Sequence, residues 1–136
     1  KIEHNKEFVQ VYSDCGNDSS VKDGPGVQDC VINFFKSKGI NVRVMGTTDS
    51  SGNIKVKSQG NDICEKILES TVFAHEWSHK MHRDDLVEQY GKGTISFSKQ
   101  WFDKTDWASD EMRAHTMNIH YLKWVNSRLN SICDVT

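Results

Sequence analysis

Residues 71–82 read TVFAHEWSHKMH, and the five residues His75-Glu76-Trp77-Ser78-His79 inside them decide how the rest of the chain is understood. Two histidines four apart on a helix lie on one face, about 6 Å apart along the axis at ~1.5 Å per residue. At that separation both imidazoles can reach one ion, with metal–nitrogen bonds of about 2.0–2.1 Å for zinc. Glu76 sits about 100° around the helix from His75, so it is poorly placed as a ligand to the same ion. It can instead reach a water bound to that ion and take its proton. The spacing therefore separates two ligands from one base. With six histidines in 136 residues, a chance match to HExxH has odds of roughly one to two in a hundred.

The flanks of the motif predict a long helix from Asp62 to about His82. Asp62, with Glu65 three residues on, resembles a capping box. Ile63, Ile67, Ala74 and Met81, with Cys64 and Leu68, give the helix an apolar stripe. A second long helix is expected from about Thr105 to Asn130, on the spacing of Met112, Ile119, Leu122, Val125 and Leu129.

A catalytic zinc site normally has three protein ligands plus water. The acidic and imidazole candidates for the third are His82, Asp84, Asp85, Glu88, Asp103, Asp106, Asp110, Glu111, His115 and His120. Glu111, near the start of the second long helix, is best placed, because the intervening chain can turn back and Ala114 permits close approach of the helices. His115 and His82 remain alternatives, and Glu111 also reads as an acidic residue favoured by the helix dipole. Asp110 and Glu69 are candidates to accept the second N–H of a ligand histidine. A tetrahedral oxyanion needs a donor; His115 is the favoured candidate, ahead of His120, Tyr121 and Tyr90.

Elsewhere the reading is coarser. Residues 13–26, SDCGNDSSVKDGPG, predict a loop. Asp14, Asn17, Asp18 and Asp23 within it lack calcium-loop spacing and read as a solvated turn. Val27–Lys38 has helical spacing and ends at Gly39. Ile40–Met45 and Asn53–Lys57 alternate with period two and predict a strand pair around the turn-forming GTTDSSGN. Thr94–Ser98 reads as a further short strand. Trp77, Trp101, Trp107 and Trp124 are expected in the core, with Trp101 or Trp107 available to line a cleft. The order of helix, strands, long helix, irregular segment and long helix predicts an α+β protein, residues 1–136 forming one domain.

A net charge of −2 offers no electrostatic reason to bind nucleic acid or an anionic membrane. No apolar run approaches the ~18 residues of a membrane span. Lys1 in place of an initiator Met is what a processed chain or an excised domain would carry. Cys15, Cys30, Cys64 and Cys133 contain no C-x-x-C pair, which argues against a cysteine zinc site. Two disulfides are expected, Cys15–Cys30 clipping the polar loop and Cys64–Cys133 tying the tail to the central helix; four buried thiols are the alternative. Disulfides in turn predict a secreted or extracytoplasmic protein.

HEWSH (75–79) followed by EMRAH (111–115) resembles the gluzincin group of zinc metallopeptidases, in particular its short single-domain members. The resemblance covers about residues 71–122 and does not extend to residues 1–60. It implies a zincin-like fold, with a small antiparallel or mixed sheet packed on a long HExxH helix and a second long C-terminal helix. It implies Zn2+ held by His75, His79 and Glu111, with Glu76 as base. The group often has Asp or Asn where His115 stands, orienting a ligand histidine, so the role of His115 is not carried over. No G-x-x-H follows His79, which excludes the metzincin pattern. The expected substrate is a peptide or protein, cleaved by a monomer. A zinc amidase or cell-wall hydrolase, an effector or toxin domain with an inhibitor or immunity protein, and a non-catalytic metal-binding module are the alternatives.

Overall fold

The computed structural model describes residues 1–129 and 132–136. It contains helices α1 (Ile2–Gly16) and α2 (Gly24–Ser37), strands β1 (Gly46–Thr48) and β2 (Ile54–Val56), and helices α3 (Ile63–Tyr90), α4 (Ile95–Trp101) and α5 (Lys104–Leu129). The described residues are thus mostly helical, with one two-stranded antiparallel sheet, compatible with the α+β expectation. The expected end of the last helix, Asn130, lies outside the described residues.

Helix α5 is the hub, touching α1, α2, α3 and α4. Two apolar clusters flank it. One joins Val11, Tyr12 and Cys15 of α1 to Val27, Val31 and Phe35 of α2 and Ala108 of α5. The other joins Ile2 to Ile119, Leu122 and Val125 of α5 and to Cys133 and Val135 of the tail. Leu122 is almost fully buried, so its truncation to Ala is expected to cost about 2–5 kcal/mol. The α1–α5 approach is close enough that a Cβ at Gly16 would stand 2.5 Å from Cβ of Ala108.

Several local expectations are corrected. Helix α1 was not anticipated, and it carries the chain through Gly16, so the loop is confined to residues 17–23. Asp23 caps α2, its carboxylate accepting from Gly26 N at 2.8 Å, and Pro25 lies in the first turn, where its missing N–H costs nothing. Residues 40–45 form no strand. Val42 and Met45 face the cavity described below, but apart from Lys57 N donating to Met45 O (2.8 Å) no ladder reaches them. The pairing instead begins at Gly46, with Gly46 opposite Val56 and Thr48 opposite Ile54. Residues 95–101 are helical rather than a strand. The Thr94 hydroxyl caps them by accepting from Phe97 N, and Phe97 and Trp101 stack one turn apart. Trp77 and Trp124 lie 44% and 52% exposed, not in the core. Among the described residues the sheet packs chiefly on α3.

Both expected disulfides are present, Cys15–Cys30 joining α1 to α2 and Cys64–Cys133 joining α3 to the tail. They span sequence separations of 15 and 69 residues. Loop-closure entropy then assigns about 3 kcal/mol to the first and about 4.4 kcal/mol to the second. Urea unfolding of the two double Cys→Ser variants should therefore show the larger loss for Cys64/Cys133. The reverse order would mean that local contacts outweigh chain entropy.

Candidate metal centre

Asp62 starts α3, its carboxylate accepting from Glu65 N at 2.9 Å, and the helix continues eight residues beyond the expected end at His82. The stretch of α3 from His75 to His82 runs along α5, with His75 at Asn118 and His82 at Asp106. Where they meet, His75 and His79 of α3 face Asp110 and Glu111 of α5. The Nε2 atoms of the two histidines are 3.0 Å apart. Glu111 places Oε1 2.7 Å from His79 Nε2 and Oε2 3.5 Å from His75 Nε2. His75, His79 and Glu111 thus each present one donor atom within 4.8 Å of the others, a group able to hold a metal ion. Two imidazoles and one carboxylate form a donor set suited to zinc.

The surrounding side chains support these three. Asp110 Oδ2 lies 2.6 Å from His79 Nδ1, as anticipated for a ligand histidine's second nitrogen. Glu69, the other candidate for that task, instead accepts from Gln59 N and pairs with Lys66. His115 Nδ1 meets Asn5 Oδ1 at 2.7 Å, and its Nε2 is 3.5 Å from Glu111 Oε2. Both its nitrogens therefore face protein groups. The Phe8 ring stacks flat on it, with centroids 4.7 Å apart.

Glu76 is buried and lines the same cavity as His75, His79 and Glu111, with its Oε1 on the sheet. The Thr48 hydroxyl lies 2.9 Å from both Glu76 Oε1 and Glu76 O. A hydroxyl has a single proton, so Thr48 can donate to the carboxylate, or accept from the protonated carboxyl while donating to the carbonyl. Gly46 makes this contact possible, since a Cβ there would be 2.8 Å from Val72 Cγ1 and 3.0 Å from Glu76 Cγ.

These residues open on a cavity of about 430 Å³. His75, Glu76, His79, Asp110 and Glu111 line it, and Phe8, Tyr12, Val42, Trp101 and Trp107 supply apolar wall. His82 also lines it, but its Nε2 is bound to Asp106 Oδ2 at 2.7 Å, away from the three-residue group. Tyr90, His120 and Tyr121 are outside the lining. Asn5, Tyr12, Gln28, Thr48 and Asn118 were missed by sequence reasoning. The only trace of the first two is the helical spacing of Asn5, Phe8 and Tyr12, which marks one face without marking a function.

Charge in the metal-free centre follows from these distances. Burial opposes the His79 cation, but the Glu111 charge and the hydrogen bonds His79 donates to Asp110 and Glu111 outweigh it, raising the pKa well above 6.5. Burial likewise opposes the Glu111 anion, yet the His79 charge and contacts from His115, His75 and His79 hold it well below 4.5. Burial lowers His115, and burial together with the Glu111 charge raises Tyr12 well above 10. No family model, curated protein or solved structure matches the chain.

The pair makes the metal-free protein sensitive to pH in a defined sense. The stability from His79 is full below its unfolded value near 6.5 and is lost as pH rises through the elevated folded value. That from Glu111 is present above about 4.5 and is lost as pH falls through its depressed value. Urea unfolding of chelator-treated protein should therefore weaken on the alkaline side, and His79→Gln should flatten that limb. An unchanged alkaline slope in His79→Gln would refute the pairing. Asp110→Asn, which removes the charge behind His79, is expected to weaken metal binding about 10–100-fold. Competition with a chromogenic chelator measures this, and unchanged affinity would remove Asp110 from the centre.

Proposed function

We propose that the protein is a zinc-dependent hydrolase, a metallopeptidase of the gluzincin type with a zincin-like arrangement of its two long helices. The observation that carries the reading is the convergence of His75, His79 and Glu111 within 4.8 Å of one another, beside Glu76 on the same cavity wall. His75, His79 and Glu111 would hold the ion. Bound zinc supplies Lewis-acid polarisation and a water with its pKa lowered towards about 7.

The chain's own residues do the rest. Glu76 takes the proton of the attacking water on its carboxylate and passes it to the leaving amine nitrogen. The Thr48 hydroxyl keeps the Glu76 carboxyl aimed in both protonation states. Asp110 keeps His79 turned towards Glu111. The aromatic wall of Phe8, Tyr12, Trp101 and Trp107 displaces water from the substrate side of the cavity. Two disulfides, and no helix among the described residues long and apolar enough to cross a membrane, fit an oxidising, extracytoplasmic setting. Peptide or protein substrates are favoured over nucleic acid by the net charge of −2.

The test is Glu76→Gln, assayed with wild type on peptide, protein and peptidoglycan substrates, with zinc content measured in both. Wild type should cleave peptide bonds and hold one zinc. The variant should keep the zinc and lose about 10²–10⁴-fold in rate. Zinc-loaded Glu76→Gln cleaving at the wild-type rate would remove Glu76 from its role. Cleavage of peptidoglycan alone would replace the peptidase reading with a cell-wall amidase.

A further inference from the structure

The charges that line the cavity are answered by neighbours except at one place. Four carboxylates line it. Asp106 pairs with His82 at 2.7 Å, Asp110 with His79 at 2.6 Å and Glu111 with His79 at 2.7 Å. Glu76 meets the Thr48 hydroxyl at 2.9 Å. Arg43 lines the cavity too, and its side chain is exposed, with no carboxylate or other acceptor bound to it among the described residues. A guanidinium stays charged at every pH at which proteins work. Arg43 is therefore the one fixed charge of this lining that no protein group answers. Loading the centre with a divalent ion adds positive charge, so the excess keeps its sign.

The chain is fastened on both sides of Arg43. Ile40 N donates to Phe35 O at 2.9 Å, at the end of α2. Val42 packs against the first apolar cluster, beside Phe8 and Trp107. On the other side Met45 O accepts from Lys57 N at 2.8 Å, and Gly46 lies against Val72 and Glu76 of α3. The backbone is thus anchored while the guanidinium remains free to meet a ligand. Its planar fork matches the two oxygens of a carboxylate. Rounded to a sphere, a cavity of 430 Å³ is about 9 Å across, or two to three residues of extended peptide at ~3.4 Å each. A carboxylate held by Arg43 would then belong to a residue within about three positions of the cleaved bond.

We propose that Arg43 is a specificity-determining residue that binds a substrate carboxylate, so that the enzyme prefers peptides with an Asp or Glu side chain, or a free C-terminus, close to the cleaved bond. The inference rests on the peptidase reading above and names the substrate class for it. Arg43 acts on binding and stays away from the reacting atoms. Its loss should therefore raise KM for acidic peptides and leave kcat nearly unchanged.

The test is digestion of a proteome-derived peptide library by zinc-loaded wild type, Arg43→Gln and Arg43→Glu, with the cleaved positions read by mass spectrometry. Wild type should enrich acidic groups within about three positions of the cut. Arg43→Gln should lose that enrichment, and Arg43→Glu should replace it with Lys and Arg. In synthetic peptides differing only by Glu or Gln at the enriched position, wild type should favour Glu about tenfold in kcat/KM, and Arg43→Gln should show no preference. Amidating the peptide C-terminus separates the two sources: a preference that survives comes from the side chain, and one that vanishes comes from the terminus. No acidic enrichment in wild type, or one unchanged in Arg43→Glu, would overturn the role of Arg43 alone. Wild type that cleaves no peptide would overturn the peptidase reading and this inference with it.

Discussion

The structure turns on a single imidazole gripped from both ends. His79 of α3 lies between Asp110 and Glu111 of α5, at 2.6 Å through Nδ1 and 2.7 Å through Nε2. Adjacent residues on a helix point about 100° apart, so two neighbouring carboxylates can reach opposite ends of one ring only if the helices cross at that point. Ala114, fully buried one turn further on, leaves room for the crossing. In the metal-free protein the grip is an ion pair, and in the proposed zinc site the same atoms become a ligand and its support. Zinc must therefore compete with the ring's own protons.

Helix α1 backs this crossing and shapes what can occupy the cavity. Asn5, Phe8 and Tyr12 follow one another along a single face towards α5. Asn5 holds His115, Phe8 stacks on it, and Tyr12 donates to Gln28 of α2 at 2.8 Å. The Cys15–Cys30 bridge ties the end of α1 to α2, so two of the helices that wall the cavity are covalently joined. On the opposite side the sheet contributes little area but one decisive contact. Gly46 lets β1 lie against Val72 and Glu76, and Thr48 reaches the Glu76 carboxyl from there.

The centre was legible because its chemistry is written in local spacing. His75, Glu76 and His79 fall within five residues, and α3 and α5 announce themselves through sustained apolar stripes. Glu111 was legible with less force, since it depends on where α5 crosses α3, but a small residue at 114 pointed to close approach. The disulfide pairing followed from which segments each cysteine would clip. Asn5, Thr48 and Asn118 were not legible, because each acts through a partner distant in sequence and an Asn or Thr in isolation carries no periodic signal. The missed elements have equally local causes. Pro25 was read as loop punctuation when it marks the first turn of α2, and a Thr cap made a helix of Thr94–Ser98 despite their alternation. Alternation at 40–45 is not matched by a paired strand: residues 42–45 all line the cavity, while Ile40 and Val44 stay exposed.

The proposed ion lies where α3 and α5 cross. The most direct measurement is anomalous diffraction at the zinc edge from crystals of zinc-loaded protein. One peak per chain is expected, with His75 Nε2, His79 Nε2 and a Glu111 oxygen each at about 2.0–2.2 Å. A protein that takes up no zinc, or a peak bound elsewhere with the His79–Glu111 pair intact, would contradict it.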